Sequence, residues 1–232
     1  MGGRGSIAEA ATGDEVFERL SASLEYGYED YVVLVALDRF YGRPFPVLVG
    51  VVLSQNTNDK NSIKALIELA AKIGVDPDSL ARAELGEIAR AIRVAGLASQ
   101  KARALKELAK LVASRGGEDY LLREDPWRLR EELKRVKGVG DKTVDVFLSL
   151  VRRAPVFAVD THAARIAKRW RLVGPKAGYS EISRALLEFF GPGRSEEAHR
   201  LLIALGRRYC RARNPLCGEC PVRDLCPSAQ QR

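Results

Sequence analysis

The sequence predicts an all-α protein. Apolar residues recur three and four apart, as in Ile63, Leu66, Ile67 and Ala70 or in Leu105, Leu108 and Val112, a spacing that lines one face of a helix. Helix punctuation agrees with that periodicity. In chain order, starts are marked by Asp14, Asp59, Ser99, Asp125, Asp160 and Ser180, whose short polar side chains can accept from first-turn amides. Asp125 is the clearest, because Pro126 follows it at the first helical position. Stops are marked by Gly74, Gly96, Gly116 and Gly191, and about ten helices are expected. Two stretches, Phe45 to Leu53 and Val144 to Val151, are apolar almost all round and belong in the core. No internal repeat or long low-complexity linker interrupts the pattern, and only the first dozen residues and the tail after Pro227 read as disordered.

Bulk properties narrow the class of partner. At 232 residues and 46% hydrophobic, the chain can bury a core without disulfides. A net charge of +8 favours a polyanion, either nucleic acid or an anionic membrane surface. No run approaches the roughly 18 to 20 apolar residues of a membrane span, and the N-terminus carries no charged-then-apolar secretory segment. The expected location is therefore intracellular, cytoplasmic or nucleoid-associated. Met1-Gly2 with Ser6 satisfies a loose myristoylation pattern that any Gly-rich start meets as easily.

All four cysteines, Cys210, Cys217, Cys220 and Cys226, fall near the C-terminus with six, two and five residues between them. Clustered thiols in an intracellular chain read as ligands for zinc or iron–sulfur. Structural zinc sites of the Cys₄ kind use two short pairs, and this chain has one, so the spacing favours a [4Fe–4S] cluster, although ligand type alone leaves both open.

A second motif, Leu133 to Thr143, reads as a helix end, a Gly138-Val139-Gly140 turn and a new helix start beside Lys134, Arg135 and Lys137. Glycines let the main chain approach a phosphate, and the following helix points its positive end at it. Taken alone, the same letters fit a plain helix–helix turn. The third motif, Val159-Asp160-Thr161-His162, begins 18 residues after Lys142. Asp160 alone reads as a helix cap, Lys142 as a solvated first-turn lysine, and His162 and His199 as structural.

Together, the Gly-Val-Gly-x-Lys-Thr turn, the Val-Asp-Thr-His segment and the four cysteines occur in the order and spacing of one family. The sequence resembles the endonuclease III family of helix-hairpin-helix DNA glycosylase/AP lyases. The resemblance runs from Phe45, through Leu53 to Asp59 and Ala95-Gly96-Leu97, to Cys226. It implies a six-helix barrel domain at 44–155 carrying the helix-hairpin-helix motif, and an iron–sulfur cluster domain built from 1–43 and 156–232. It further implies a monomer that binds double-stranded DNA containing damaged bases or abasic sites, with the DNA lying across the cleft between the domains.

By the resemblance, Lys142 is the nucleophile and Asp160 the carboxylate that stabilises positive charge on the sugar or moves protons. The four cysteines hold a [4Fe–4S] cluster in a structural role, and Arg208, Arg211, Arg213 and Arg223 around it can meet phosphates. The activity implied is removal of a damaged base, of the oxidised-pyrimidine class, followed by β-elimination. Lys137, Gly138, Val139 and Gly140 contact DNA. Gln55, Asn56 and Leu97 fill the gap left by the flipped nucleotide. The chain departs from the family at two places: Gln55-Asn56 stands where many relatives have Ala-Gln, and Lys137 where many have proline. For Leu97, burial after a helix end is an equal alternative. Two other functions stay in view. A monofunctional mismatch or uracil-type glycosylase usually lacks a lysine at position 142, and a non-catalytic DNA-binding or electron-transfer iron–sulfur protein makes the pairing of Lys142 with Asp160 accidental.

Overall fold

The computed structural model describes residues 5–24 and 31–229, and every regular element among them is helical. The chain opens with α1 (Ile7–Ala10) and α2 (Gly13–Ser23). It continues through α3 (Val32–Arg39), α4 (Pro44–Leu53), α5 (Asp59–Lys72), α6 (Pro77–Arg82), α7 (Leu85–Ala91), α8 (Ala98–Ser114), α9 (Glu118–Arg123), α10 (Pro126–Lys134) and α11 (Asp141–Val151). It closes with α12 (Thr161–Arg169), α13 (Tyr179–Phe190) and α14 (Ser195–Arg208). These fourteen α-helices among the described residues exceed the ten expected. The additions include the four to seven residues of α1, α6, α7 and α9, too short for apolar periodicity to declare them.

Two compact units result, one of Met1–Tyr26 with Arg153–Arg232 and the other of Gly27–Arg152. The larger unit takes in α3 beside the 44–155 expected for the barrel: α3 buries Val32, Leu34 and Ala36 and packs on α4 and α5.

In the larger unit every residue of α4 is buried. A helix with no polar face must be enclosed, and α3, α5, α8, α9 and α11 all pack on it. Enclosure also threatens the unpaired amides at its start. Glu118 of α9 answers this, accepting from Phe45 N at 3.1 Å and from the Arg43 guanidinium. The start signals hold to within two residues: Asp125 and Asp160 are caps, while Asn58 rather than Asp59 caps α5 and Thr12 rather than Asp14 caps α2.

The smaller unit is built around Trp170, Phe157 and Phe190, whose rings stand 6.1 to 6.3 Å from one another along the chain of contacts Phe157–Phe190–Trp170. Ile7 is fully buried in the same core and its amide donates to Trp170 O at 2.9 Å. Residues 5–12 are thus docked, contrary to the disorder expected of the first dozen residues; a single apolar anchor in a Gly-rich stretch is enough to hold them. The tail is docked likewise, for Ser228 donates to Arg169 O at 2.6 Å and Ala229 is buried. Residues 1–4, with the myristoylation pattern's Met1-Gly2, and 230–232 lie outside the described residues. Among the described residues no helix is long and apolar enough to cross a membrane.

Because Ile7 fills core volume, Ile7→Ala should lower the unfolding free energy by about 2–5 kcal/mol in urea titrations. A loss under about 0.5 kcal/mol would show that the N-terminal segment does not dock.

Candidate active site

The hairpin joins α10 to α11. Gly138 takes φ 95, a left-handed conformation that favours glycine, so its place in the turn is steric. Gly140 differs from expectation, with φ −103 and ψ 179 that any residue adopts. What Gly140 contributes is the lack of a side chain: no side chain at the N-cap bonds the first amides of α11, an eleven-residue helix. Lys137, Gly138 and Gly140 are exposed, whereas Val139 is 4% exposed and can offer only its backbone. Lys142 sits half-buried in the first turn of α11.

A buried ion cluster holds the hairpin shut, and sequence reading missed it. Arg130 of α10 donates Nε to Asp145 Oδ1 at 2.7 Å and an Nη to Asp141 Oδ1 at 2.7 Å, across the turn. Lys134 adds an ion pair to Asp141 at 2.8 Å. The Lys134 ammonium, and then Arg130, hold the Asp141 carboxyl below its usual range, and the carboxylates raise Arg130 in turn. Asp145 is 2% exposed and accepts from two nitrogens of Arg130. Fifteen residues separate Arg130 from Asp145, and no one-helix spacing rule links them.

Two further segments belong to the same unit. In the α4–α5 loop, Gln55 directs its amide Nε2 to Gly138 O and Thr143 Oγ1, both at 2.9 Å. That amide nitrogen joins the α4–α5 loop to the hairpin and to the first turn of α11. Asn56, next to it, is exposed and left-handed at φ 52. In the loop before α8, Leu97 is 49% exposed and left-handed at φ 48, so ordinary burial is excluded for it. Behind both loops lies Lys101 of α8, 3% exposed, whose Nζ donates to Leu53 O and Ala95 O, each at 2.8 Å.

The smaller unit holds Asp160 and the cysteines. Asp160 caps α12 by accepting from Ala163 N at 2.7 Å, so its plain structural role is real, and the cap uses Oδ1 only. His162 Nδ1 lies 3.0 Å from an Nη of Arg165, and burial lowers its pKa, which suits a neutral, structural ring. Further along α12, Arg165 donates to Cys210 O at 2.9 Å and Arg169 to Cys210 Sγ at 3.2 Å. All four thiols are half-buried and line one cavity of about 290 Å³ with Trp170 and Tyr209. Four thiols lining one such cavity fit the donor set of an iron–sulfur core. Burial pushes the Cys220 thiol up to about 11 and raises Cys226; bound iron would deprotonate both. Arg208, Arg211, Arg213 and Arg223 are all exposed around the loop.

Comparison with known proteins adds to this geometry. Residues 49–192 match the model of the HhH-GPD superfamily base excision DNA repair proteins, and residues 210–226 match the iron-sulfur binding domain of endonuclease III. Endonuclease III of Sulfolobus acidocaldarius is 36% identical over 78% of this chain and 81% of its own length. Among solved structures, a non-covalent endonuclease III–DNA complex superposes with a TM-score of 0.75 at 25% identity, covering 96% of this chain and 98% of that one. A trapped endonuclease III–DNA covalent intermediate does so with 0.71 at 26%, covering 96% and 99%.

Replacing Arg130 by Met leaves the buried Asp145 carboxylate without that cation, at an expected cost of about 3–5 kcal/mol in chemical denaturation; a loss below about 1 kcal/mol would mean the pair is effectively solvated. Lys101 gives a pH signature. Burial lowers its amine from 10.5 to about 8, so between those values the folded chain has released a proton that the unfolded chain keeps. Stability relative to Lys101→Met should therefore rise between pH 8 and 10, by about 1 kcal/mol or more. A flat or falling difference contradicts a buried amine.

Proposed function

The chain belongs to the endonuclease III family of HhH-GPD base excision DNA repair proteins and is a DNA glycosylase with an iron–sulfur cluster, and we propose that it is bifunctional, cutting the strand through a Schiff base on Lys142. The observation that carries this reading is the setting of Lys142. Its amine stands in the first turn of a helix whose N-cap, Gly140, supplies no side-chain hydrogen bond, directly after the Gly138 turn.

In the proposed reaction Lys137 and the backbone of Gly138 to Gly140 take the DNA phosphate. The neutral Lys142 amine attacks C1′ as the C1′–N bond to the base breaks, and the base leaves with the bonding pair and gains a proton. Positive charge develops on the sugar, and the Asp160 carboxylate stabilises it. Ring opening gives an imine between Lys142 and C1′. The imine acidifies the 2′ proton; its removal expels the 3′ phosphate as the C3′–O bond breaks, and water then releases the lysine. Extruding the damaged base costs a few kcal/mol of unpairing. Asn56 and Leu97, the exposed left-handed residues of their loops, insert to offset it.

The substrate class we assign is an oxidised pyrimidine in duplex DNA, with the protein acting as a monomer. Cys210, Cys217, Cys220 and Cys226 would hold the cluster, whose four thiolate bonds tie the loop between them into one body.

Borohydride should trap the protein covalently on an oligonucleotide carrying thymine glycol or an abasic site, and Lys142→Ala should reduce trapping by about a thousandfold or more. Base release from wild-type protein without any trapped adduct would make it a monofunctional glycosylase and overturn the lyase assignment.

A further inference from the structure

Lys101 makes no obvious sense as a surface lysine or as a core residue. It lies in the first turns of α8 with 3% of its surface exposed. Among the described residues no carboxylate is paired with its amine; its two acceptors are backbone carbonyls, Leu53 O and Ala95 O. A buried amine without a countercharge is costly, and a methionine of similar length would fill the space without that cost. What methionine could not do is bind both carbonyls.

Those carbonyls belong to the roots of two loops. Leu53 is the last residue of α4, three before Asn56, and its carbonyl is one of those a helix C-terminus leaves unpaired. Ala95 ends a 3-10 turn two residues before Leu97. Ser62 Oγ reinforces the first root, donating to the same Leu53 O at 3.3 Å. Both Asn56 and Leu97 hold left-handed backbones, a conformation that is strained above all for the branched Leu97 and persists only where the surroundings fix it. One amine thus anchors both strained residues, forty-one positions apart in the chain, from a single point.

We propose that Lys101 is a positioning residue that sets the spacing between the two DNA-inserting side chains, Asn56 and Leu97, so that they enter the duplex as one wedge. This rests on the assignment of those two residues as the gap-filling pair. Lys101 touches no substrate and takes no part in bond making; its effect falls on nucleotide extrusion. Phosphate binding through the hairpin, and the reaction of Lys142 with a sugar already free of a duplex, are independent of it.

The test uses the full-length protein with its cluster. A duplex with a tetrahydrofuran abasic analogue opposite 2-aminopurine reports unstacking by fluorescence without any chemistry, and a single-stranded abasic oligonucleotide reports Lys142 chemistry without a duplex to open. Wild-type protein should raise the fluorescence. Lys101→Met should slow that rise about tenfold or more while cleaving the single strand within about threefold of wild type. An unchanged rise, or equal loss on both substrates, would overturn the proposal. If wild-type protein unstacks the duplex but never reacts with the single strand, the lyase reading fails and the Lys101 proposal is still decided by the fluorescence. A second measurement removes dependence on the folding of Lys101→Met: in the wild-type Lys101 background, Asn56→Ala and Leu97→Ala should be non-additive in the unstacking rate by about threefold or more. Strict additivity would show two independent loops and overturn the proposal.

Discussion

Everything in the larger unit depends on one helix that has no face to show to water. Because all of α4 is buried, the helices around it cannot be placed independently. Its neighbours include α11, which carries Lys142, and α8, which carries Lys101 and starts at Leu97. Its own last residue leads into Gln55 and Asn56. Enclosing an apolar helix therefore delivers three chemically relevant segments to the same end of one core, and does so with dispersion and desolvation alone.

Apolar packing is non-directional, so it brings those segments close without fixing their orientation. Polar ties at that end supply the direction. Gln55 joins the α4–α5 loop to the hairpin at Gly138 and Thr143, Lys101 joins the roots of the two exposed loops, and Arg130 clamps α10 to α11. Each tie is buried or partly buried and costs desolvation, which a structure selected only for stability would avoid. In the smaller unit the pattern repeats around another apolar core: Arg165 and Arg169 reach from α12, the helix capped by Asp160, to Cys210.

What the sequence made legible follows from which interactions are local. Helix caps act over three residues, so Asp125 and Asp160 were readable as starts and the structure uses both. The all-apolar run Phe45 to Leu53 declared its burial, and the cysteine spacing favoured a cluster over zinc without deciding between them. Lys142 and Asp160 were found through motif spacing, and the structure gives each a first-turn or cap position consistent with an unremarkable role as well. The long-range ties left no trace. Arg130 looks like an ordinary surface charge, Asp145 is the one charge inside a stretch read as core and does not name its partner, and Lys101 sits among other lysines of a basic helix; only tertiary structure tells which one is buried. Leu97 was ambiguous for the same reason, and its exposure removes the burial alternative. Gly140 was misread in detail, since letters cannot separate a glycine needed for its backbone from one needed for its missing side chain.

The central claim is that one particular amine in this basic chain forms the covalent link to DNA. Peptide mapping of the borohydride-reduced adduct by mass spectrometry tests it most directly. The account predicts the reduced deoxyribose on Lys142; its appearance on Lys134, Lys137 or the N-terminal amine with Lys142 unmodified would contradict it.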